Sequence, residues 1–437
     1  MATASKVLLT LEQQPEYYRG GILQESANTA SELLQRNHDE HHIFFNKDGF
    51  HNHISHHLLT IWALRAEPGE IQKAYNINQG YQRPAGPLDG DVLTELHNPE
   101  KFKSCLGNER YYHDFLIFFQ EEIERSRWQD VVNSYVLADD DRANDMLARL
   151  FAGFLHPIIH LGFGIEFSQP AIIAEGLAQA AVHGDYMRKF FAPAEKAAEE
   201  RSGGPSKTIV ELLDAIHLDK EMLDAPKWND GNKLRDGIIG RAGERTVSYV
   251  SQFHVKPDEL DRKTAEMTNA AAYYTAGAQR EDKMIKYDFY FMHCVNCSIF
   301  FPTFLKQDWI TTENKIRLLQ WKVWNDLAMY ASRKSPDIRL DDIRSYKPKH
   351  PSGWDEIEDR ICRFEDDGHA SKLVRALANG QRACEPYQDR EEFRLKHDDW
   401  LQMGHMAVDS VEAGEPHWIR SAGFDEAWEK IPVRAQL

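Results

Sequence analysis

Seven of the twenty histidines in this chain fall between His38 and His57, and four crowd the stretch FHNHISHHLL: His51, His53, His56 and His57. Imidazole titrates near neutral pH and is the commonest metal-binding side chain, so such a stretch can hold an ion, relay protons or form a polar surface. A helix over 52–64 would set His53 and His57 one turn apart, on a face shared with Ile61 and Leu64, and turn His56 away beside Thr60. That allows an inward pair or a solvated helix start. In HPIIH, His156 and His160 stand four residues apart, the spacing at which one helix offers two nitrogens to one ion. Their neighbours Leu155, Ile158, Ile159 and Leu161 are apolar, which predicts a buried setting, and Pro157 is expected to kink the helix and free a carbonyl. His293 lies among the aromatics of KYDFYFMHCVNCSIFF, and GHASKLVRAL carries His369 and Lys372 near a helix start that Asp366 or Asp367 can cap. Core histidines and a snorkelling lysine account for each of these singly. Together they would bring nitrogen ligands from several helices, as metal sites in helical proteins do.

The elements that must position these groups read as helices. NDMLARLFAGFLHPIIHLGFGIEF, ENKIRLLQWKVWNDLAMYAS and ASKLVRALANGQR repeat apolar residues every three or four positions, and Gly380 suits a helix C-terminus. Period-two stretches are rare, so the fold class is mainly α: one large helical domain over 1–437 with the metal site between helices. Internal linkers are predicted near 199–208 (EERSGGPSKT) and 345–356 (SYKPKHPSGWDE), where Gly and Pro cluster.

Composition narrows the function. Lys plus Arg total 52 against 69 Asp plus Glu, a formal charge of −17, which argues against nucleic acid and against anionic membranes as partners. No secretory leader or spanning segment is evident, and five scattered cysteines suit a reducing compartment, so a cytoplasmic protein is expected. Cys294 and Cys297 have redox or zinc spacing, but no second pair completes a four-cysteine site, and buried structural thiols are predicted. GFGIEF at 162–167 and GIIGRAG at 237–243 do not make a dinucleotide fingerprint, and GGPSKT at 203–208 is not a phosphate loop. Flavin and nicotinamide sites within the chain are therefore not supported.

Asn52-His53 ahead of an apolar helix, the His156–His160 segment, the His293 helix and His369-Ala-Ser-Lys372 occur in the order found in the questin oxidase-like family, which the chain resembles from about His38 to its end. GFDEAWE at 423–429 is similar to its fungal members, whereas Arg65 stands where the family often has Gly. The resemblance implies oxygen-dependent opening of an anthraquinone ring with a Baeyer–Villiger outcome, giving a benzophenone-type acid in aromatic polyketide metabolism. It singles out His53, His156, His160, His293, His369 and Lys372. With no flavin, iron(II) held by imidazoles is the expected means of activating O2.

A protonated lysine cannot bind a metal, so Lys372 is expected to act as a carbamate formed with CO2, with Glu166 as the ordinary carboxylate alternative. Four imidazoles (His53, His156, His160, His293) and this oxygen donor would leave one octahedral position for O2. His369 is then a base or an orienter of a ligand, and Tyr287, Tyr290 and Phe291 are expected to line the substrate pocket. Three alternatives stand beside this: an NADPH-linked monooxygenase fed by a partner reductase, a zinc hydrolase on the same histidines, and a non-catalytic helical protein.

Overall fold

Apolar repeats at helical spacing do become helices, and the mainly α class holds. In the computed structural model, which describes residues 1–201 and 203–434, the only strands among the described residues are Tyr287–Asp288 and Trp418–Ile419, paired in parallel. The chain forms two compact units. The first comprises Met1–Arg188, Lys306–Ile310 and Cys362–Arg375; the second comprises Lys189–Leu305, Thr311–Ile361 and the chain from Ala376 onward. Both segments predicted as internal linkers fall inside the second unit: one begins in the last turn of helix Arg188–Arg201, and the other runs from the end of helix Leu340–Arg344 into the first turn of Trp354–Arg363. Ser202, within the first of them, lies outside the described residues.

The first unit is organised around helix Pro170–Val182, which is buried from Ala171 onward and packs on His156–Glu166 and Tyr112–Arg125. Glycine permits the closest crossing: a Cβ on Gly176 would stand 2.8 Å from the Leu161 nitrogen. The long pattern ending in HPIIHLGFGIEF is not one helix. It breaks into Asp141–Leu150 and His156–Glu166, and Gly153, Phe154 and Leu155 between them all adopt left-handed backbone (φ 54, 56 and 70°). For Phe154 and Leu155 this conformation costs of order 1–3 kcal/mol each, and such strain collects at functional sites. Pro157 therefore lies in the first turn of a new helix, where its missing N–H is harmless, and it starts that helix instead of kinking it. Arg65, just past helix Ile54–Ala63, has φ 68°, which explains why glycine suits that position.

In the second unit, helix Leu260–Gly277 packs against Phe289–Ser298 and Thr312–Ser332. Gly380 does not end its helix, which runs from His369 to Cys384. It lies against the Trp400 indole, where a Cβ would come within 2.6 Å of Cη2. Among the described residues, no single helix is long and apolar enough to cross a membrane.

Candidate metal centre

All four histidines of FHNHISHH are buried, so the stretch is not a solvated helix start. The helix begins at Ile54, two residues later than 52, because Asn52 stands ahead of it. The Asn52 Oδ1 accepts the Ile54 N–H at 3.0 Å, and its amide donates to Asn37 Oδ1 at 2.8 Å. This fixes the backbone from which His53 projects.

Hydrogen bonds then determine which nitrogen each ring offers. His53 Nδ1 donates to Asp367 Oδ2 at 3.0 Å, and His156 Nδ1 donates to the Gly153 carbonyl at 2.6 Å. Both Nε2 atoms are left as lone pairs, and they face each other at 2.8 Å. Burial, with Lys372 and His369 adding to it, pushes His53 down to about 3, so no proton fills the gap near neutral pH. Two facing acceptors repel unless a cation joins them. Nitrogens held ~2.1 Å from one ion at right angles stand about 3.0 Å apart, so the pair fits a metal. His369 follows the same rule: its Nδ1 donates to Asp367 Oδ1 at 2.5 Å, and its ring stands perpendicular to His53, with centroids 4.5 Å apart. Ligand-capable atoms of His53, Asp367 and His369 lie within 4.8 Å of one another, as do those of His51, His53 and His156. His51 stacks on His156 at 3.8 Å and shares its Nε2 with His183, at 2.9 Å. His183 Nδ1 donates to the Gln179 carbonyl, so the shared proton belongs to His51.

Asp367 thus orients two rings at once, the outer-partner arrangement typical of metal-bound imidazoles. Its carboxyl is half-buried, and the loss of solvent alone would raise it, but His369 and His53 hold it well below the usual range. Asp366 takes the capping role, accepting the Gly368 and Ala370 N–H groups at 2.7 and 2.9 Å. Gly368, at φ 87°, packs this turn onto His57, where a Cβ would come 2.6 Å from the His57 Cβ. Asp367→Asn is expected to weaken metal binding ~10–100-fold with the fold retained. Titration against a colorimetric chelator reads this, and unchanged affinity would remove Asp367 from the centre.

His160 does not join this group. Its Nε2 donates to Glu175 Oε2 at 2.6 Å and its Nδ1 meets His56 Nε2 at 3.0 Å, so both nitrogens are occupied. Glu175 Oε1 takes His38 Nδ1 at 2.6 Å, and His38 Nε2 meets the Gln120 amide at 2.8 Å. The spacing of four placed His160 correctly on the helix, but a carboxylate from the facing helix captured its ring. The sequence carried a signal for this: Glu175 is the one charged residue in PAIIAEGLAQAAV. Burial alone would raise the Glu175 carboxyl, yet the bonds from His160 and His38 bring it from 4.5 to about 2. Its contribution to stability is therefore present above pH 4.5 and lost as the pH falls towards 2. Glu175→Gln is expected to lower Tm at neutral pH and to flatten its fall across that acid window. Parallel Tm–pH curves for the two proteins would contradict the pairing.

Glu166, the carboxylate alternative, is committed to Arg375 through contacts of 2.5 and 3.2 Å. Lys372 is buried beside Asp367 and Asp366. Burial pushes its amine down to about 8 although both carboxylates oppose this.

In the second unit, His293 is buried on helix Phe289–Ser298, with Nδ1 donating to the Phe289 carbonyl at 2.6 Å. Its Nε2 is thus also the lone-pair nitrogen. Of the residues expected to line a pocket, Tyr287 and Phe291 are packed in the core of this unit. The Tyr287 hydroxyl donates to the Met403 carbonyl at 2.9 Å, and Phe291 meets Tyr274 edge-on. Tyr290 alone is part-exposed. Cys294 and Cys297 are buried free thiols, the latter pushed up to about 12 by burial.

A family model described as questin oxidase-like matches residues 50–377, a span that runs through both units. The Baeyer-Villiger oxidase ptaJ of Pestalotiopsis fici is 42% identical over 416 residues, covering 93% of this chain and 94% of that protein. The Baeyer-Villiger monooxygenase dmxR6 of Cryptosporiopsis sp. is 40% identical over 423 residues, covering 94% of each. A questin oxidase of Aspergillus fumigatus is 38% identical over 450 residues, covering 99% of this chain and all of the relative. Family match and near full-length likeness to named oxidases agree with the helical fold and the buried histidines: the chain is an oxidoreductase and belongs to the questin oxidase-like family.

Proposed function

We propose that this protein is a non-haem iron oxygenase that opens a ring of a hydroxyanthraquinone-type polyketide with O2, with a Baeyer–Villiger outcome and a benzophenone-type acid as product. The observation that carries the proposal is the pair of facing Nε2 lone pairs on His53 and His156, 2.8 Å apart in a buried site. His53, His156 and His369 would hold the ion through Nε2. His293 keeps the ligand role that the family pattern implies, and iron content of His293→Ala tests it separately. Iron(II) bound there would supply one-electron chemistry with O2, which zinc cannot.

The protein's own groups do the rest. Asp367 and the Gly153 carbonyl hold the Nδ1 protons, so each ring stays in one tautomer and one orientation. The buried setting keeps bulk water from the reacting carbon, which favours ring opening over side reactions. Tyr290 remains the aromatic candidate for substrate contact. Lys372 Nζ has no hydrogen-bond partner among the described residues, and an amine lowered to about 8 can shed its proton and take up CO2. As a carbamate it would add an oxygen donor to the set. Lys372→Ala is then expected to lose about tenfold or more in turnover and to recover part of it with added acetate. Full activity without acetate would remove Lys372 from the centre.

The deciding experiment is metal analysis together with O2 consumption on a hydroxyanthraquinone. About one iron per chain and substrate-dependent O2 uptake support the proposal. One zinc with turnover under nitrogen would establish a hydrolase instead. The monooxygenase naming of the Cryptosporiopsis relative favours a second arrangement, in which NADPH or a partner reductase supplies electrons. Stoichiometric NADPH oxidation coupled to product would select it.

A further inference from the structure

The second unit holds one feature that neither the fold nor the metal centre needs. Its only strand pair among the described residues sets Tyr287 opposite Trp418 and Asp288 opposite Ile419, so the next residues along, Phe289 and Arg420, come alongside each other. Asp288 clamps the two segments. One of its oxygens accepts the Tyr290 and Phe291 N–H groups at 2.8 and 3.1 Å, and the other accepts those of Ser421 and Ala422 at 2.6 and 2.8 Å. Arg333 reinforces this from below, stacked 3.7 Å from the Tyr290 ring centre and donating to the Ser421 hydroxyl at 3.1 Å. The backbone on either side of Arg420 is buried at Ile419 and Ser421, while Arg420 itself is exposed.

Its guanidinium lies over the Phe289 ring, 4.8 Å from the centre, and makes no ion pair or hydrogen bond among the described residues. In a chain with a formal charge of −17, carboxylates are plentiful, yet the neighbouring one, Asp288, is committed to four backbone N–H groups and does not pair with Arg420. Phe289 in turn meets the His293 ring edge-on at 4.8 Å. A planar five-donor cation is thus held on an aromatic ring that itself meets the His293 ring edge-on. Guanidinium on an aromatic ring is well suited to flat aromatic ligands that carry anionic oxygen, because the fork takes the oxygen and the ring takes the polycycle.

We propose that Arg420 and Phe289 form, within the second unit, a subsite for a flat aromatic anion: Arg420 pairs with an ionised phenol or carboxylate, and Phe289 stacks on the ring that bears it. This deepens the functional proposal above and rests on it for the identity of the natural substrate. The test uses binding alone. Anthraquinone-2-carboxylate and anthraquinone-2-carboxamide differ in charge but hardly in shape, and their Kd values on the full-length protein can be measured by fluorescence quenching at neutral pH. The wild type is expected to prefer the carboxylate by about fivefold or more. Arg420→Gln should abolish that preference and leave carboxamide binding unchanged, and Arg420→Lys should retain only part of it. Phe289→Leu should weaken both probes alike. A wild type that binds the two probes equally, or a preference that survives Arg420→Gln, overturns the subsite. Iron content and O2 uptake do not enter this readout. A charge preference in a protein without iron would sink the oxygenase proposal and leave the subsite standing.

Discussion

His156→Ala is expected to lower iron from about one per chain to less than a tenth, and turnover by roughly a hundredfold or more. The loss should exceed the 10–100-fold typical of removing an outer partner such as Asp367, because a nitrogen donor itself disappears. Fixed tautomers are the cause. His156 is held by the Gly153 carbonyl and His53 by Asp367, which leaves two lone pairs 2.8 Å apart. Without an ion that contact is repulsive, and with one it is an asset. His160→Gln is the matched control, one turn further along the same helix. Its ring is bound on both sides, by Glu175 and His56, so this variant should lose stability but keep iron in its folded fraction. Metal analysis of the two variants side by side separates the alternatives. Iron lost equally from both would restore the ligand pair implied by the HPIIH spacing. Iron kept in His156→Ala would dismantle the centre.

The contrast shows where sequence reading reaches its limit. Periodicity and spacing found the helices that carry His156, His293 and His369 and the one that His53 precedes, and the same helical periodicity, with period-two stretches rare, correctly pointed to a mainly α fold. What spacing cannot show is which partner claims each ring. His160 was lost to Glu175, fifteen residues on, because two apolar helices cross closely enough to bring a buried carboxylate to it. Asp367 could be seen beside Asp366 as a candidate cap. That one caps the helix while the other orients two imidazoles depends on a turn at Gly368 that only the folded chain reveals. The break before His156 was hidden for a related reason. Phe154 and Leu155 have ordinary helix-compatible side chains, and their left-handed backbone follows from tertiary packing, not local preference. Tyr287 and Phe291 looked like pocket lining because aromatic residues near a histidine suit either role, and burial assigned them to the core.

Arg375→Ala is expected to cost about 3–5 kcal/mol of stability, the usual penalty for leaving one member of a buried ion pair unmatched. Arg375 reaches Glu166 through two contacts and also donates to the Tyr17 carbonyl at 3.0 Å, while Glu166 additionally accepts the Glu16 N–H at 2.8 Å. Both side chains are almost wholly enclosed, so water cannot replace the lost partner. Burial already pushes the Glu166 carboxyl up, and the Arg375 charge is the chief force holding it down. Removing that charge should leave Glu166 protonated in the folded state at moderately acid pH. The Tm deficit of Arg375→Ala should therefore be largest near neutral pH and shrink as the medium is acidified towards the ordinary carboxylate range. Replacing both partners by apolar residues, Glu166→Leu with Arg375→Met, should recover much of the loss, since the penalty lies in the unpaired charge more than in the missing attraction. Thermal melts of the single and double variants across this pH range decide the matter. Equal deficits in both, at every pH, would show that packing of the long Arg375 side chain matters and the buried charge does not.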